Sequence, residues 1–242
     1  MQLFYSPDIS NSEEYITFSK EESRHIVKVL RKKTGDLLQI TNGNGFLYSV
    51  EIEQAHDKKC TGRIRNFEEK PRERLYYLHV AIAPTKLNDR MEWFLEKATE
   101  IGIDEITPIR CDRSERKEIK HERMEKVIIS AMKQSLKFRL PKLNPTMGFR
   151  EFIKKCDWDL GLIAHCEEGD KTNLRNFLPF KKRILILIGP EGDFSPREIE
   201  EAQKLDIKPV SLGKSRLRTE TAGIVACHTV SVFNEEVSNH EA

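Results

Sequence analysis

A short stretch late in the chain joins an apolar run to a glycine turn. Residues 184–188 are all Ile or Leu, which suits a strand buried on both faces in the middle of a parallel sheet. Gly189 and Gly192 then let the backbone turn sharply and approach a ligand closely. A strand followed by such a turn is how α/β proteins build ligand sites at the carboxyl ends of their strands. Taken alone, the turn fits an ordinary loop that binds nothing equally well.

Charged residues gather in a second stretch of the same design. Leu212 and Gly213 end another short strand, and Arg216, Arg218 and Glu220 follow just before an apolar helix predicted over residues 222–233. Charges between a buried strand and a buried helix are costly unless they are paired or used. We therefore predict a ligand site formed by the two stretches. A structural ion pair that holds the helix start is the alternative for Arg218 and Glu220.

The elements that position these stretches alternate between strand and helix from residue 75 onward. Repeated strand–helix units predict a parallel sheet covered by helices on both faces. Ser195 and Glu198 are spaced for a capping box, with Pro196 at the first helical position. Strands are predicted at 75–83, 105–110, 160–165, 184–188 and 210–212, and helices at 89–102, 121–137, 148–155 and 196–205, before the last helix.

Residues 1 to about 67 have a different pattern, which is mainly that of β-structure. The turn Asn42-Gly-Asn-Gly45 between two apolar runs is a strong hairpin signal. One helix is predicted over residues 19–33, capped by Ser19, with Ile26, Val29, Leu30 on its apolar face and basic side chains opposite. Such a domain suits RNA docking or a purely structural role. A polar linker is predicted at residues 68–74.

Composition narrows the classes of function. The chain has 242 residues and a net charge of +2, yet residues 108–145 hold eleven Lys and Arg against five Asp and Glu. This basic stripe indicates a polyanion site, with a solvated helix face as the alternative. The five cysteines form no CxxC pair and no HExxH is present, so neither zinc nor a disulfide framework is expected. Neither a membrane span nor a signal peptide is expected, and a reduced, cytoplasmic protein is the default.

Several familiar chemistries lack their motifs in this sequence. There is no GxxxxGK[ST] phosphate loop, no GxGxxG after a strand and no GxSxG nucleophile turn. Phosphoryl transfer by a P-loop, dinucleotide binding and α/β-hydrolase chemistry are therefore not expected. What remains is a glycine-lined ligand site, a basic surface and a β-rich appendage.

The motifs resemble those of the ribosomal small subunit methyltransferase E family, knotted SPOUT-class enzymes that methylate N3 of a uridine in 16S rRNA. The resemblance covers the whole chain. The segments that carry it are Gly189-Pro-Glu-Gly192, Phe194-Ser195, Leu212-Gly213, Leu217-Arg-Thr-Glu-Thr-Ala222, His25-Ile-Val-Lys-Val-Leu-Arg31, Gly35-Asp36, Glu96-Lys-Ala-Thr-Glu-Ile-Gly102, Arg113-Ser114 and Lys133-Gln-Ser135.

The resemblance implies an α/β fold in which a small PUA-like β-barrel RNA-binding domain, residues 1–70, precedes a SPOUT methyltransferase domain, residues 71–242. The second domain is a parallel sheet with a trefoil knot, and the active enzyme is a homodimer. S-adenosylmethionine is implied as the cofactor, bound by three loops of the knot. The implied cofactor-binding residues are Ala164, His165 and Cys166, then Ile188, Gly189, Pro190, Glu191 and Gly192, and then Leu212, Gly213, Ser215 and Leu217.

The implied reaction sets roles for the charged residues. Uridine N3 must lose its proton before it attacks the methyl group. A cation beside the base oxygens would lower the free-energy cost of that deprotonation. Arg218 is expected in that role, with Arg216 as the alternate, and Glu220 would orient the arginine or accept the proton. The residues expected to bind 16S rRNA of the small subunit are Arg24, Arg31, Arg113, Arg116, Lys133, Gln134, Arg139 and Arg216. Two rivals are a knotted ribose 2′-O-methyltransferase and a non-catalytic ribosome-assembly factor.

Two positions depart from the family pattern. The family usually has a third glycine where this chain has Asp193, and Asp tolerates a positive φ less well than Gly but better than most residues. The family commonly has Arg-Ile where this chain has Ser215-Arg216, so that an arginine is displaced by one position. This displacement leaves open which arginine reaches the target base.

Overall fold

The chain forms two compact units, which are described separately. The computed structural model describes residues 2–72, 74–179 and 182–238. One unit is Met1–Arg72 together with Met132–Leu140, and the other is Glu73–Ala131 together with Pro141–Ala242. The first unit therefore includes residues 132–140, although the sequence pattern had assigned residues 132–137 to a single helix that begins at residue 121.

The first unit is built on a mixed sheet. Its elements are β1 (Leu3–Tyr5), β2 (Tyr15–Thr17), α1 (Lys20–Arg24), a π-helical turn (His25–Val29), β3 (Leu37–Thr41), β4 (Phe46–Gln54) and β5 (Thr61–Glu69). The strand order is β1-β3-β4-β5-β2, in which β1 runs parallel to β3 and the other pairs are antiparallel. The hairpin predicted around Asn42–Gly45 is confirmed as β3 and β4. Ile40, Tyr48 and Val50 are fully buried in its core.

The predicted helix over residues 19–33 is corrected in its second half. Ser19 caps α1 as predicted, because its side chain accepts from the Glu22 N–H. The chain then widens into the π turn, where the Leu30 N–H bonds the His25 carbonyl at 3.0 Å. The extra residue in this turn rotates the following side chains, so Val29, predicted on the apolar face, is 64% exposed.

A second correction concerns the helix predicted over residues 121–137, which ends at Gln134. Leu136, which a helix over residues 121–137 would include, is exposed and has φ +54°. The chain leaves the helix because the next residues pair with the hairpin turn. The Gly45 N–H bonds the Phe138 carbonyl at 2.8 Å, and the Leu140 N–H bonds the Gly43 carbonyl at 2.8 Å.

The second unit is built on a parallel sheet, as predicted. Its strands are β6 (Tyr77–Ile82), β7 (Glu105–Arg110), β8 (Lys142–Leu143), β9 (Met147–Gly148), β10 (Leu160–Ala164), β11 (Thr172–Asn173), β12 (Arg183–Ile188) and β13 (Lys208–Ser211). The strand order is β11-β13-β10-β12-β6-β7-β8, with β9 also pairing β7, and every pair is parallel. The order brings β10, β12 and β13 side by side. Whether the segment through them is knotted stays a prediction from the resemblance.

Helices accompany this sheet. They are α2 (Asn88–Ile101), α3 (His121–Gln134), α4 (Phe149–Lys155), a 3₁₀ turn (Leu174–Phe177), α5 (Pro196–Gln203) and α6 (Thr219–Ser238). The capping box of Ser195 and Glu198 is confirmed, with Pro196 at the start of α5. α6 packs on α2. Gly223 permits this contact, because a Cβ there would lie 2.5 Å from the Phe94 ring. None of the helices in the described residues is long and apolar enough to cross a membrane.

Polar side chains lie together at the amino-terminal ends of β6 and β7 and at the short neighbouring strand β8. Glu105, which is 7% exposed, accepts from the Tyr77 hydroxyl at 2.9 Å, from Asn144 at 2.8 Å and from Lys142 at 3.2 Å. His79 lies beside it, 4% exposed, with its Nδ1 3.8 Å from the carboxylate. We call these five residues the polar cluster. Because the donors surround the carboxylate, a charge is held at this edge of the sheet.

Within the polar cluster the pKa values of Glu105 and His79 are both lowered, and both shifts make the folded state less stable in acid. Burial alone would raise the pKa of Glu105. The hydrogen bond from Asn144, the charge of protonated His79 and the hydrogen bonds from Tyr77 and Lys142 outweigh burial, and the pKa falls from 4.5 to about 2. Burial lowers the pKa of His79 from 6.5 to about 4, against the attraction of Glu105. Both groups therefore bind protons more readily in the unfolded chain than in the folded one, so that acid favours unfolding.

We predict that the free energy of unfolding falls as the pH is lowered, first between 6.5 and 4 through His79 and then between 4.5 and 2 through Glu105. Replacing Glu105→Gln should remove about 2–3 kcal/mol of the loss below pH 4.5. Urea denaturation over a pH series measures both. The exposed Glu200→Gln is the matched control and should keep the wild-type profile. An unchanged profile in Glu105→Gln would contradict the assignment.

Candidate active site

A pocket of about 1130 Å³ opens at the carboxyl ends of β10, β12 and β13. The three strands end together because Ala164 pairs in register with both Ile188 and Val210. The loops that follow them form the walls, and we call them loop 1 (residues 164–171), loop 2 (188–195) and loop 3 (211–218). The pocket is lined by every residue predicted for cofactor binding: Ala164, His165, Cys166, Ile188, Gly189, Pro190, Glu191, Gly192, Leu212, Gly213, Ser215 and Leu217.

Loop 1 and loop 2 are joined by the side chain of Asp193. Its Oδ2 accepts from the Cys166 N–H at 2.7 Å, and its Oδ1 accepts from the Phe194 N–H at 2.8 Å. Asp193 itself has φ +63°, which is the left-handed conformation. At the position where the family usually has a third glycine, this chain thus adopts a conformation that glycine favours. The carboxylate therefore fixes the turn of loop 2 and the start of loop 1 together.

Loop 2 is also joined to the start of α6. Thr219, which is 5% exposed, donates its hydroxyl to the Gly189 carbonyl at 3.0 Å. Since Thr219 is the first residue of α6, this bond places the beginning of that helix directly behind the glycine turn. The helix starts three residues earlier than the sequence predicted, so Glu220 lies within its first turn.

The outer side of loop 2 is held by two further contacts. The Arg113 guanidinium donates to the carbonyls of Gly192 and Phe194 at 3.1 and 3.3 Å. The Lys86 N–H donates to Glu191 Oε1 at 3.0 Å. Gly192 lets Arg113 come close, because a Cβ there would lie 3.2 Å from the Arg113 Cβ. Loop 2 is thus held by contacts to loop 1, to the start of α6, to Arg113 and to Lys86, which pre-organise it for a ligand.

His165 is half-buried within loop 1. Neither ring nitrogen has a hydrogen-bond partner among the described residues, while Lys171 donates to the His165 carbonyl at 3.0 Å. Burial, and then the charge of Lys171, lowers the pKa of the imidazole, so His165 is neutral at pH 7. It offers one donor and one acceptor, but no charge, to the pocket wall.

The residues predicted for catalysis have different surroundings in the structure. Arg216 and Arg218 are exposed and line the pocket, whereas Glu220 is 5% exposed and is absent from the pocket lining that the described residues form. Glu220 Oε1 lies 3.7 Å from Nε of Arg90, which lines the pocket, and Glu220 Oε2 has no hydrogen-bond partner among the described residues. The arginine that Glu220 accompanies is therefore Arg90, which the sequence did not single out.

The residues predicted to bind RNA have varied surroundings. Arg24 and Arg31 are exposed beside the π turn, and Gln134 is exposed at the end of α3. Lys133 pairs with Glu22 at 3.1 Å, and Arg139 donates to the carbonyls of Asn44 and Lys70. Arg116 donates to the carbonyls of Glu118 and Lys86. Several of these cations, with Arg113, are thus already engaged in holding the fold.

We predict that Thr219→Val lowers the free energy of unfolding by about 1–3 kcal/mol, because it leaves the buried Gly189 carbonyl without its donor. Thr219→Ser keeps the hydroxyl and should recover most of the loss. Thr221→Val, half-buried in the same turn of α6, is the matched control for valine in this helix. Urea denaturation measures all three, and equal losses in both valine variants would contradict the role of the bond.

Comparison with known proteins matches two family models to two successive parts of the chain. Residues 71–231 match the model of the RNA methyltransferase domain family, and residues 18–65 match that of the RNA methyltransferase PUA domain. The first match alone covers more than half of the chain.

Relatives match along almost the whole length. The ribosomal RNA small subunit methyltransferase E of Buchnera aphidicola is 30% identical, over 93% of this chain and 90% of its own. The crystal structure of a probable rRNA-methyltransferase from Porphyromonas gingivalis is 41% identical, covers 98% of this chain and 100% of its own, and has a TM-score of 0.91. A ribosomal RNA small subunit methyltransferase E from Neisseria gonorrhoeae, solved bound to S-adenosyl methionine, is 25% identical over 96% and 97% of the two chains, with a TM-score of 0.85. This chain therefore belongs to the ribosomal RNA small subunit methyltransferase E family of RNA methyltransferases.

Proposed function

We propose that this chain transfers a methyl group from S-adenosylmethionine to N3 of a uridine in the 16S rRNA of the small ribosomal subunit. The observation that carries the proposal is the pocket formed by loops 1, 2 and 3, with Arg216 and Arg218 in its lining. The relative from Neisseria gonorrhoeae, bound to S-adenosyl methionine, supports the choice of cofactor. The choice of uridine N3 rests on the family resemblance.

The pocket suits the cofactor by size and by surface. Its 1130 Å³ exceeds the range of about 300–1,000 Å³ typical of small-ligand sites, which leaves space for a nucleobase beside the cofactor. Gly189, Gly192 and Gly213 bring bare backbone to the walls, where amides and carbonyls can meet adenine and the amino-acid end. The cofactor would supply a methyl group made electrophilic by its sulfonium.

The residues of this chain would then align the reactants and prepare the base. A methyl transfer of this kind requires the attacking nitrogen in line with the methyl group, and the fixed loops serve that alignment. Arg218 would stabilise the negative charge that spreads to the base oxygens as N3 loses its proton, with Arg216 as its alternate. Glu220, buried beside Arg90, would act by holding that arginine at the pocket rather than by taking the proton itself.

The RNA would be held through its phosphates by cations with free reach into solvent. Arg24 and Arg31 in the first unit and Arg216 in loop 3 are exposed, and Gln134 offers a polar side chain. Arg113, Arg116, Lys133 and Arg139 were expected in the same role, and any phosphate contact they make would add to the internal bonds described above. Phosphate contacts position the RNA, and base contacts near the pocket must supply the choice of nucleotide.

The decisive test is methyl transfer to small ribosomal subunits that lack the modification. With labelled S-adenosylmethionine and purified protein, we expect 3-methyluridine after digestion of the RNA to nucleosides. A labelled 2′-O-methyl nucleoside would replace the N3 mechanism by attack from a ribose hydroxyl. If neither incorporation nor binding of S-adenosylmethionine occurs, the assembly-factor function would be favoured instead.

The same assay tests the arginine. Arg218→Ala should lower the rate of transfer by about a hundredfold or more, because it removes the charge that stabilises the deprotonated base. Its affinity for S-adenosylmethionine, measured by calorimetry, should stay within a few-fold of wild type. Arg216→Ala is the matched neighbour in loop 3. If Arg216→Ala loses the activity and Arg218→Ala keeps it, the two roles exchange, and equal loss of cofactor binding would make Arg218 structural.

We also propose that the chain works as a homodimer, with α6 near the interface. Leu87 and Trp93, just before and within α2, are 52% and 43% exposed, and α2 packs on α6, where Ile224 and Val225 are half-buried. Apolar side chains left at a surface of this kind favour contact with another protein. Sedimentation velocity should give one species of twice the chain mass, and Trp93→Glu should shift it toward the monomer. A wild-type monomer at micromolar concentration would contradict the proposal.

A further inference from the structure

Asp193 has an unfavourable backbone conformation in the middle of the pocket wall. Its φ of +63° lies in the region that glycine adopts freely and other residues adopt at a cost. Such a conformation persists only where surrounding contacts fix it, and it gathers at functional sites. The contacts of the Asp193 side chain must therefore offset the conformational free energy that this backbone geometry costs.

The side chain joins two loops that the sheet alone leaves separate. Ala164 and Ile188 are the last residues of β10 and β12, and the sheet holds them in register. Beyond them the ladder ends, and the bond from the Cys166 N–H to Asp193 Oδ2, at 2.7 Å, takes its place. A hydrogen bond to a carboxylate is shorter and stronger than one between neutral groups.

The same carboxylate also fixes its own loop. Asp193 Oδ1 accepts from the Phe194 N–H at 2.8 Å, and the Asp193 N–H donates to the Pro190 carbonyl at 2.9 Å. Phe194 is fully buried, so the turn is anchored in the core on one side and attached to loop 1 on the other. Both Cys166 and Asp193 line the pocket, so this bond contributes to the spacing of the two walls, together with Arg113, which lies 3.6 Å from Glu167 of loop 1 and donates to the loop 2 carbonyls.

We propose that Asp193 is a positioning residue for cofactor binding, acting through the Cys166 amide to set loop 1 against loop 2. The proposal rests on the function proposed above. Asp193 does not need to touch the cofactor, because it acts by keeping the backbone of Ala164, His165 and Cys166 in the binding conformation. Its charge strengthens the bond to the amide and is not required as a partner for the sulfonium.

Two substitutions separate the side chain from the backbone. Asp193→Gly suits φ +63° but removes both side-chain bonds, so relief of the backbone strain offsets part of the lost stability and the variant should still fold. Asp193→Asn keeps a neutral acceptor for the Cys166 N–H. We expect the Kd and KM for S-adenosylmethionine to rise about tenfold in Asp193→Gly, as for loss of a charge-assisted hydrogen bond, with an intermediate rise in Asp193→Asn. The kcat and the affinity for RNA should stay within twofold of wild type.

A second ligand distinguishes positioning from direct attraction. S-adenosylhomocysteine has the same adenosine and amino-acid ends but no positive sulfur. If Asp193 acts through loop 1, calorimetry should show both ligands weakened equally in each variant. Weakening of S-adenosylmethionine alone would overturn the positioning role in favour of a direct ion pair, and wild-type affinity in Asp193→Gly would make Asp193 merely tolerated.

The controls keep this test separate from that of the proposed function. If wild-type protein binds neither ligand, the proposed function fails before any variant is compared. If Asp193→Gly does not fold, Asp193→Asn decides the matter: weaker binding of both ligands at an unchanged melting temperature supports the proposal, and unchanged binding overturns it.

Discussion

The in-register pairing of β10 with β12 on one side and β13 on the other is the constraint on which the rest of the second unit depends. Parallel strands in register end together, and here they end at Ala164, Ile188 and Ser211. Three loops therefore leave the sheet at the same end. Hydrogen bonds from the side chains of Asp193, Thr219 and Arg113 then hold the backbone of loops 1 and 2, and the pocket lies between these loops and loop 3.

Charged side chains have opposite surroundings at the two ends of the strands. At the amino-terminal end, Glu105 is buried, and its carboxylate accepts hydrogen bonds from three side chains of the same unit. At the carboxyl-terminal edge, Arg216 and Arg218 are exposed in the pocket lining, and their charge is available to a ligand.

The sequence was most informative where structure is local. The strand at Arg183–Ile188, the glycine turn after it and the capping box at Ser195 follow from residue types a few positions apart, and each was predicted. The motif resemblance likewise brought the three pocket loops together. Arg113 was predicted as an RNA contact because a basic stripe shows charge but not direction, whereas in the structure its guanidinium holds loop 2.

What the sequence missed depends on contacts between distant positions. The pairing of Glu220 with Arg90 joins residues 130 positions apart, and no spacing rule connects them. The docking of Phe138 and Leu140 on the hairpin turn ended a helix that local periodicity would have continued. The π turn after α1 likewise depends on one extra residue per turn, which an apolar stripe read at normal helical spacing does not reveal.

The contact between α2 and α6 has a consequence for the geometry of the pocket. α6 can lie this close to Phe94 only because Gly223 has no side chain. Arg90 is near the start of α2 and Glu220 near the start of α6, so the separation of these two charges is set by how closely the helices approach. A single methyl group at position 223 would act as a spacer between a cation and its carboxylate, although it touches neither.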